Sequence, residues 1–129
     1  ASLATEFDLR QLFNVYCDAL SNNDYLRLNQ YFTDDAKISL NGNIVASSAA
    51  DFIKLLSEYR DAECRTIEIP LIMAFFADEG NGTAHGNFTI ESRSIAATGK
   101  SSVEIFKSTD TYKRTSSGWR CSDRQRKNF

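Results

Sequence analysis

Two adjacent carboxylates, Asp34 and Asp35, lie within the segment YFTDDAKISLNG that begins at Tyr31. Paired acids can perform general acid–base chemistry when their surroundings separate their proton affinities. Such acids can also end a helix, because an Asp side chain readily bonds nearby backbone N–H groups in a turn. Since the pair follows aromatic residues and precedes a strand-like alternation, the sequence favours the turn, with the catalytic role as the alternative.

The single histidine, His85, is the other group that could move a proton. Imidazole changes its charge close to neutral pH, so His85 is the best base candidate on chemistry alone. In the segment TAHGNF, however, the small or apolar residues Ala84, Gly86 and Phe88 alternate with it. If that set faces the core, His85 points outward, toward solvent or a subunit interface.

Basic residues are concentrated near the C-terminus, where they alternate with polar residues. This pattern predicts a solvated sheet face whose charges pair across strands with Glu91 or Glu104. An anionic substrate bound at the rim of a site is the alternative. The residues concerned are Arg114, Arg120, Arg124, Arg126 and Lys127.

Composition excludes several classes of partner. The 129 residues carry 15 basic and 17 acidic side chains, so no overall positive field attracts nucleic acid or an anionic membrane. No uninterrupted run of 18 apolar residues exists, and a removed leader before Ala1 stays an open alternative. The sequence contains no nucleotide, metal or nucleophile motif, and its three cysteines have no ligand spacing. These features predict a cytoplasmic protein without metal or cofactor.

The N-terminal half has the periodicity of helices. An amphipathic helix is predicted over residues 7–21, and a second short helix follows the SNND break. A third helix begins after the capping residue Ser48 and ends near Arg60. The apolar positions that define these helices are Leu9, Leu12, Phe13, Tyr16, Leu20, Tyr25, Leu28, Phe32, Phe52, Leu55, Leu56 and Tyr59.

Strand patterns occupy the remainder of the chain. The segment KISLNGNIV alternates around Asn41 and Gly42, a pair typical of a tight hairpin turn. From Cys64 onward, four β-rich runs are separated by turn residues at 79–82, 97–100 and 115–118. They predict four antiparallel strands joined as hairpins.

Helices followed by a meander of strands predict one α+β domain over residues 1–129, with three N-terminal helices packed on a strongly curved antiparallel sheet. The proline at position 70 predicts an edge strand or a bulge, because proline cannot donate to a sheet ladder. The run PLIMAFFAD carries more apolar residues than one sheet face can bury, so we expect a homodimer through the outer face.

Three stretches carry a resemblance to a known family. They are VYCDALSNNDYLRLNQYFTDDAKISLNG, VASSAADF and STDTYKRTSSGWRCSDRQ. With the order of elements, they make the chain similar to the nuclear transport factor 2-like superfamily, and more closely to its ketosteroid isomerase and SnoaL-like branch. The resemblance implies a cystatin-like cone with an apolar cavity for a small ligand, in a protein that forms homodimers.

The resemblance also implies roles for individual residues. Tyr16 lies where the isomerases keep a tyrosine that donates to a developing enolate, and Asp110 lies where they keep a second donor, a neutral carboxylic acid. The position of the general base is occupied by Leu40, which cannot carry a proton. A core tyrosine at position 16 and an ion pair of Asp110 with a Lys or Arg are the structural alternatives.

The related dehydratases pair an aspartate near the second helix with a histidine on the sheet. Asp24 matches the first position, but the histidine position falls near Glu68, which leaves that pair incomplete. His85 and Asp24 therefore stay as alternative candidates for the base. The residues expected to line the cavity are Leu12, Leu40, Phe52, Leu56, Phe106 and Tyr112.

Two hypotheses about function follow. The first is a SnoaL-like protein that binds a small molecule in an apolar pocket, with its reaction unknown. The second is a cofactor-free isomerase or dehydratase that acts on a small carbonyl-bearing apolar substrate, with Tyr16 and Asp110 as donors. The leucine at position 40 favours the first, and the two donors favour the second.

Overall fold

The computed structural model describes residues 2–59 and 64–129, with the backbone alone at Tyr59. Two α-helices and a 3₁₀ helix come from the N-terminal half, and six strands form one sheet. In chain order the elements are α1 (Leu3–Ser21), the 3₁₀ helix (Tyr25–Gln30), β1 (Phe32–Leu40), β2 (Asn43–Ala46), α2 (Ala49–Tyr59), β3 (Arg65–Asp78), β4 (Thr83–Ile95), β5 (Ser101–Thr115) and β6 (Gly118–Asn128).

Side-chain caps define where the two α-helices begin. The hydroxyl of Ser2 accepts a hydrogen bond from the Thr5 backbone N–H at 3.1 Å, which starts α1 four residues before its predicted beginning. The Ser48 hydroxyl accepts one from the Asp51 N–H at 3.0 Å, which confirms the predicted start of α2. The predicted end of α2 near Arg60 lies outside the described residues. The apolar stripe of α1 is confirmed, because Leu9, Phe13, Tyr16 and Leu20 are buried.

The acidic pair lies in a strand, so its prediction as a helix-ending turn is wrong. Helical structure already stops at Gln30, and the Tyr31 carbonyl accepts a bond from the Cys121 backbone N–H at 2.7 Å. That bond brings the chain alongside the last strand before the acids are reached. Asp34 and Asp35 are both exposed on β1.

The sheet has the strand order β2-β1-β6-β5-β4-β3. The predicted hairpins from β3 to β6 are antiparallel and confirmed, as is the β1–β2 hairpin. The predicted turns at 79–82 and 97–100 separate the strands. One pairing that no sequence pattern indicated joins the β1–β2 hairpin to the other four strands, because β1 pairs in parallel with β6.

Two bulges change which residues face the helices. On β3, Pro70 pairs with Ile90 and Ile72 pairs with Thr89, so Leu71 is an extra residue on the edge strand. On β6, Cys121 and Asp123 pair with successive residues of β5, so Ser122 is extra. Pro70 was expected at an edge or a bulge, and both are found.

Each bulge reverses the alternation of buried and exposed positions along its strand. On β6 the buried residues before Ser122 are Trp119 and Cys121, and those after it are Arg124 and the nearly buried Arg126. On β3 the buried residues before the bulge are Thr66 and Glu68, and Phe75 is buried after it. The bulge on β6 therefore places two arginines between the helices and the sheet.

Helix α1 and the concave face of the curved sheet enclose the apolar core. At its centre the Phe13 ring stacks on Phe88 with 4.5 Å between ring centroids, and Phe75 meets Phe88 edge-on at 5.6 Å. Gly86, on β4, leaves room for the two strand phenylalanines. None of the described helices has the length and hydropathy that crossing a membrane requires.

We predict that Gly86→Ala destabilises the fold by about 1 to 2 kcal/mol, since overpacking a core commonly costs this much. An added Cβ would lie 2.6 Å from Phe88 Cζ and 3.0 Å from Phe75 Cε1, in rings that cannot move freely. Urea unfolding monitored by circular dichroism measures the change. The control is Gly80→Ala, whose Cβ would meet nothing closer than 3.7 Å. Equal stability of both variants would contradict the prediction.

The homodimer stays a prediction, and the outer face of β3 is where we expect it. Large apolar side chains are exposed there, with Leu71 at 54% and Ile72 at 64% of full exposure, beside Ile67, Ile69 and Phe76. Light scattering at micromolar concentration should report about twice the chain mass of 14.5 kDa. A mass that stays at one chain as concentration rises would refute it.

Candidate functional site

A cavity of about 240 Å³ lies between α1, α2, the β1–β2 hairpin and the concave face of the sheet. Its walls are mostly apolar and its floor carries charged groups. The walls and mouth are formed by Leu20, Ile38, Ser39, Leu40, Val45, Phe52, Leu55, Leu56, Ser92, Ser94, Glu104 and Phe106, and the floor by Tyr16, Glu68, Arg124 and Arg126.

A larger depression of about 560 Å³ lies elsewhere, on the other face of the sheet. Outward-facing residues such as Ile72, Lys107, Thr109 and Lys127 form most of its lining. We place the candidate site in the smaller cavity, because a ligand site needs enclosing apolar walls with convergent polar groups rather than a broad outer surface.

Glu68 and Arg126 form the first of two ion pairs. The guanidinium of Arg126 donates to both carboxylate oxygens of Glu68, at 2.7 and 2.8 Å. The Tyr16 hydroxyl donates to the same carboxylate at 2.9 Å. Helix α1 is thereby joined to strands β3 and β6 through polar contacts in a buried position.

Arg124 and Asp110 form the second pair, which is completely buried. Nε and Nη2 of Arg124 donate to the two oxygens of Asp110 at 3.0 and 2.9 Å, and the Tyr31 hydroxyl donates to the same carboxylate. Ser108 connects the pairs, because it accepts from Arg126 Nε at 3.1 Å and donates to Asp110 at 3.3 Å.

Aromatic rings surround the Arg124 guanidinium. Its Cζ lies 4.3 Å from the centroid of Tyr16, 5.2 Å from that of Phe32 and 5.6 Å from that of Tyr31. A cation over aromatic faces is attracted by their quadrupoles, and the attraction is stronger away from water. The third nitrogen, Nη1, is buried without a hydrogen-bond partner in the part of the chain that the structure describes.

The surroundings keep Glu68 ionised. Burial by itself raises the pKa of a carboxyl group, but the charge and hydrogen bonds of Arg126, helped by Arg124 and Tyr16, lower the pKa of Glu68 to about 2. Such a carboxylate is a weak proton acceptor at neutral pH.

Tyr16 and Arg124, in contrast to Glu68, stay protonated at neutral pH. Burial raises the pKa of Tyr16 to about 12, although the charges of Arg124 and Arg126 oppose the shift. Burial lowers the pKa of Arg124, but Asp110 and the nearby tyrosines raise it well above its ordinary value. At neutral pH the floor therefore holds a neutral phenol, two guanidinium ions and the carboxylate of Glu68.

Five of the residues predicted from the sequence line this cavity. Tyr16 is on the floor, while Leu40 and Phe52 contribute to the walls. Leu56 and Phe106 lie on opposite sides, on α2 and β5.

Three other predicted residues lie away from the cavity. Leu12 is on another side of α1, in a shallow depression beside Trp119. The ring of Tyr112 is buried in the core, and its hydroxyl lies 2.6 Å from that of Tyr31. Asp110 lies behind Arg124 rather than in the lining, and the expected alternative of an ion pair with an arginine describes its contacts.

The two predicted base candidates are also outside the cavity. His85 is exposed on the outer sheet face, as its alternation indicated, and stacks on Phe76 with 5.0 Å between centroids. Asp24 is exposed beside the 3₁₀ helix, with an oxygen 3.9 Å from Nε of Arg27. No cluster of three or more potential metal ligands occurs within residues 2–59 and 64–129.

The prediction that the basic C-terminal end is a solvated face is wrong for Arg124 and Arg126. Both point inward because the extra residue Ser122 reverses the alternation of β6. A signal was present in the sequence, because Glu68 and Asp110 are acids at regular strand positions that could neutralise two inward arginines. Finding it required knowing where the bulge lies.

Comparisons with known proteins define the family to which this chain belongs. The SnoaL-like domain family matches residues 1–125, and the chain belongs to this family. A comparison with curated protein sequences finds no match.

Solved structures agree with the fold at low sequence identity. A putative aromatic ring hydroxylase from Novosphingobium aromaticivorans is 15% identical, with a TM-score of 0.86 over 100% of this chain and 92% of that one. A nuclear transport factor 2-like superfamily protein from Salmonella enterica is 10% identical, with a TM-score of 0.85 over 99% and 93%. A further such protein with a cystatin-like fold, from N. aromaticivorans, is 17% identical, with a TM-score of 0.82 over 98% and 83%. These likenesses show the fold alone.

The ionised side chain of Glu68 should make the free energy of unfolding depend on pH. Its folded pKa of about 2 lies below the ordinary 4.5, so its contribution is complete above pH 4.5 and is lost as pH falls toward 2. We predict that Glu68→Gln lowers the free energy of unfolding at pH 7 by on the order of 3 kcal/mol and flattens its dependence between pH 5 and about 2.5. Urea unfolding at several pH values measures both. The control is Glu58→Gln on α2, an exposed site, and an unchanged slope in Glu68→Gln would contradict the assignment.

Proposed function

We propose that this SnoaL-like protein binds a small, largely apolar molecule in the cavity between α2 and the sheet. The observation that carries the proposal is the combination of apolar walls with a floor of charges that are already paired. Small-molecule sites are commonly apolar clefts with a few placed polar groups, and this cavity is slightly below their usual lower volume of about 300 Å³. A ligand of about one ring therefore suits it.

The proton affinities of the floor favour binding over proton-transfer chemistry. A general base needs a proton affinity near the working pH and access to its substrate. Glu68 instead has a pKa of about 2, and its carboxylate receives three hydrogen bonds from Tyr16 and Arg126. The base position suggested by the family resemblance is Leu40, which forms part of the cavity wall.

A cofactor-free isomerase or dehydratase is the second candidate. One observation favours it, since the Tyr16 hydroxyl lies at the cavity floor, where a phenol could donate to a carbonyl oxygen as negative charge develops. That donation would require Tyr16 to turn from Glu68 to the substrate. Such an enzyme would act on a small carbonyl-bearing apolar molecule.

A substitution at the mouth tests the binding proposal. Val45 lines the cavity and is 40% exposed, so a larger side chain there fills the entrance with little effect on the core. We predict that Val45→Trp weakens binding of α-methylstyrene, an apolar one-ring probe, by at least about ten-fold, because the probe and the indole compete for one volume. Titration followed by ¹H–¹⁵N NMR measures the affinity and locates the probe.

The neighbouring variant Ile44→Trp is the matched control. Ile44 is 60% exposed on the same short strand and does not line the cavity, so it should bind the probe like the wild type. Absence of any binding to the wild type, or equal weakening by both variants, would overturn the proposal.

A further inference from the structure

Among the described residues of the cavity floor, one side-chain nitrogen makes no hydrogen bond to the protein. Arg124 lines the cavity and is 1% exposed, and its Nε and Nη2 atoms are both committed to Asp110. Its Nη1 is buried, and no atom of the described chain accepts from it. A buried donor without an acceptor is rare, because its lost hydration is not replaced.

The Tyr16 hydroxyl and each of the other guanidinium nitrogens of the floor already make a hydrogen bond. Tyr16 donates its hydroxyl proton to Glu68. Arg126 directs Nη1 and Nη2 to Glu68 and its Nε to Ser108. Among the guanidinium nitrogens of the described floor, Arg124 Nη1 is thus the one that makes no hydrogen bond to the protein.

We propose that Arg124 anchors the ligand, with Nη1 donating a hydrogen bond to an uncharged carbonyl oxygen. The ligand class is a small one-ring ketone, aldehyde, ester or amide. This inference rests on the proposed function, because it needs the cavity to hold a ligand at all. The inference adds that Arg124 orients the ligand and that the site accepts an uncharged one.

The balance of charge in the floor decides between a neutral acceptor and an anion. Two guanidinium ions, Arg124 and Arg126, face two carboxylate partners, Asp110 and Glu68, so the buried group is neutral overall. A ligand anion would add a third negative charge to a mostly buried region, close to those carboxylates. Burying a charge without a free counter-charge is far more costly than burying a neutral carbonyl that is hydrogen-bonded.

Three one-ring probes separate these possibilities. Acetophenone has the neutral carbonyl, α-methylstyrene replaces its oxygen with a methylene group of similar shape, and benzoate carries a negative charge. We expect wild-type protein to bind acetophenone about ten-fold more tightly than α-methylstyrene, and benzoate most weakly. NMR titration measures all three affinities at pH 7.

The proposed contact of Arg124 with the ligand can also be observed directly in the wild-type protein. In protein labelled with ¹⁵N-arginine, the guanidinium resonances of Arg124 should shift when acetophenone is added and change much less with α-methylstyrene. The resonances of the exposed Arg93 serve as the internal control, because that residue lies outside the cavity lining. This measurement needs no substitution in the buried network.

A double variant tests the role of Arg124 by mutagenesis. Arg124→Met together with Asp110→Asn removes the donor and the charge at once, so that no unpaired charge stays buried. It should bind acetophenone and α-methylstyrene equally. The matched control is Arg93→Met with Glu91→Gln, which removes an outer-face ion pair of 2.9 Å and should keep the ten-fold preference.

The outcomes distinguish this inference from the proposed function. Equal wild-type affinity for acetophenone and α-methylstyrene, or a preference for benzoate, overturns the anchor and leaves a cavity that binds apolar molecules. A preference that persists in the double variant, or an Arg124 signal that does not respond, also overturns it. Failure of all three probes to bind refutes the proposed function, and the anchor with it.

Discussion

Two arginines can be buried in this protein only because two carboxylates meet them there, and much of the interior depends on that pairing. The free-energy cost of removing each charge from water is large, and removing one partner would leave the other charge uncompensated. The pairs Arg124–Asp110 and Arg126–Glu68 join β3, β5 and β6, and Tyr16 adds α1 through its hydroxyl. The helix that covers the sheet is therefore held by directional contacts as well as by apolar packing, which by itself would leave its position less specific.

The same pairing determines what the cavity can do. The arginine charges leave Glu68 ionised, and burial leaves Tyr16 protonated, over the whole physiological range, so these groups present fixed dipoles rather than exchangeable protons. Fixed donors and acceptors among apolar walls select a ligand by shape and hydrogen bonding. The single histidine, His85, lies on the other side of the sheet.

Local sequence patterns predicted the secondary structure well, because each depends on neighbouring residues. The periodicity of α1, the Ser48 cap and the turn at Asn41 and Gly42 are examples. The parallel contact between β1 and β6 could not be predicted in this way, since it joins residues about ninety positions apart. The site was predicted in part, with Tyr16 and four wall residues placed in the cavity lining. Arg124 and Arg126 were assigned to the wrong face, because strict alternation does not survive an extra residue.

The bulge at Ser122 also bears on how such a cavity can change during evolution. Because side chains alternate along a strand, pairing of Ser122 into a regular ladder would turn Arg124 and Arg126 outward and put Asp123 and Gln125 inward at the same heights of the sheet. The carboxylates opposite would lose their partners in a single step. Loss of one bulge thus alters the polarity of the cavity more than most single replacements could. Gain or loss of a bulge in the last strand is accordingly a route by which one scaffold can diversify its interior chemistry.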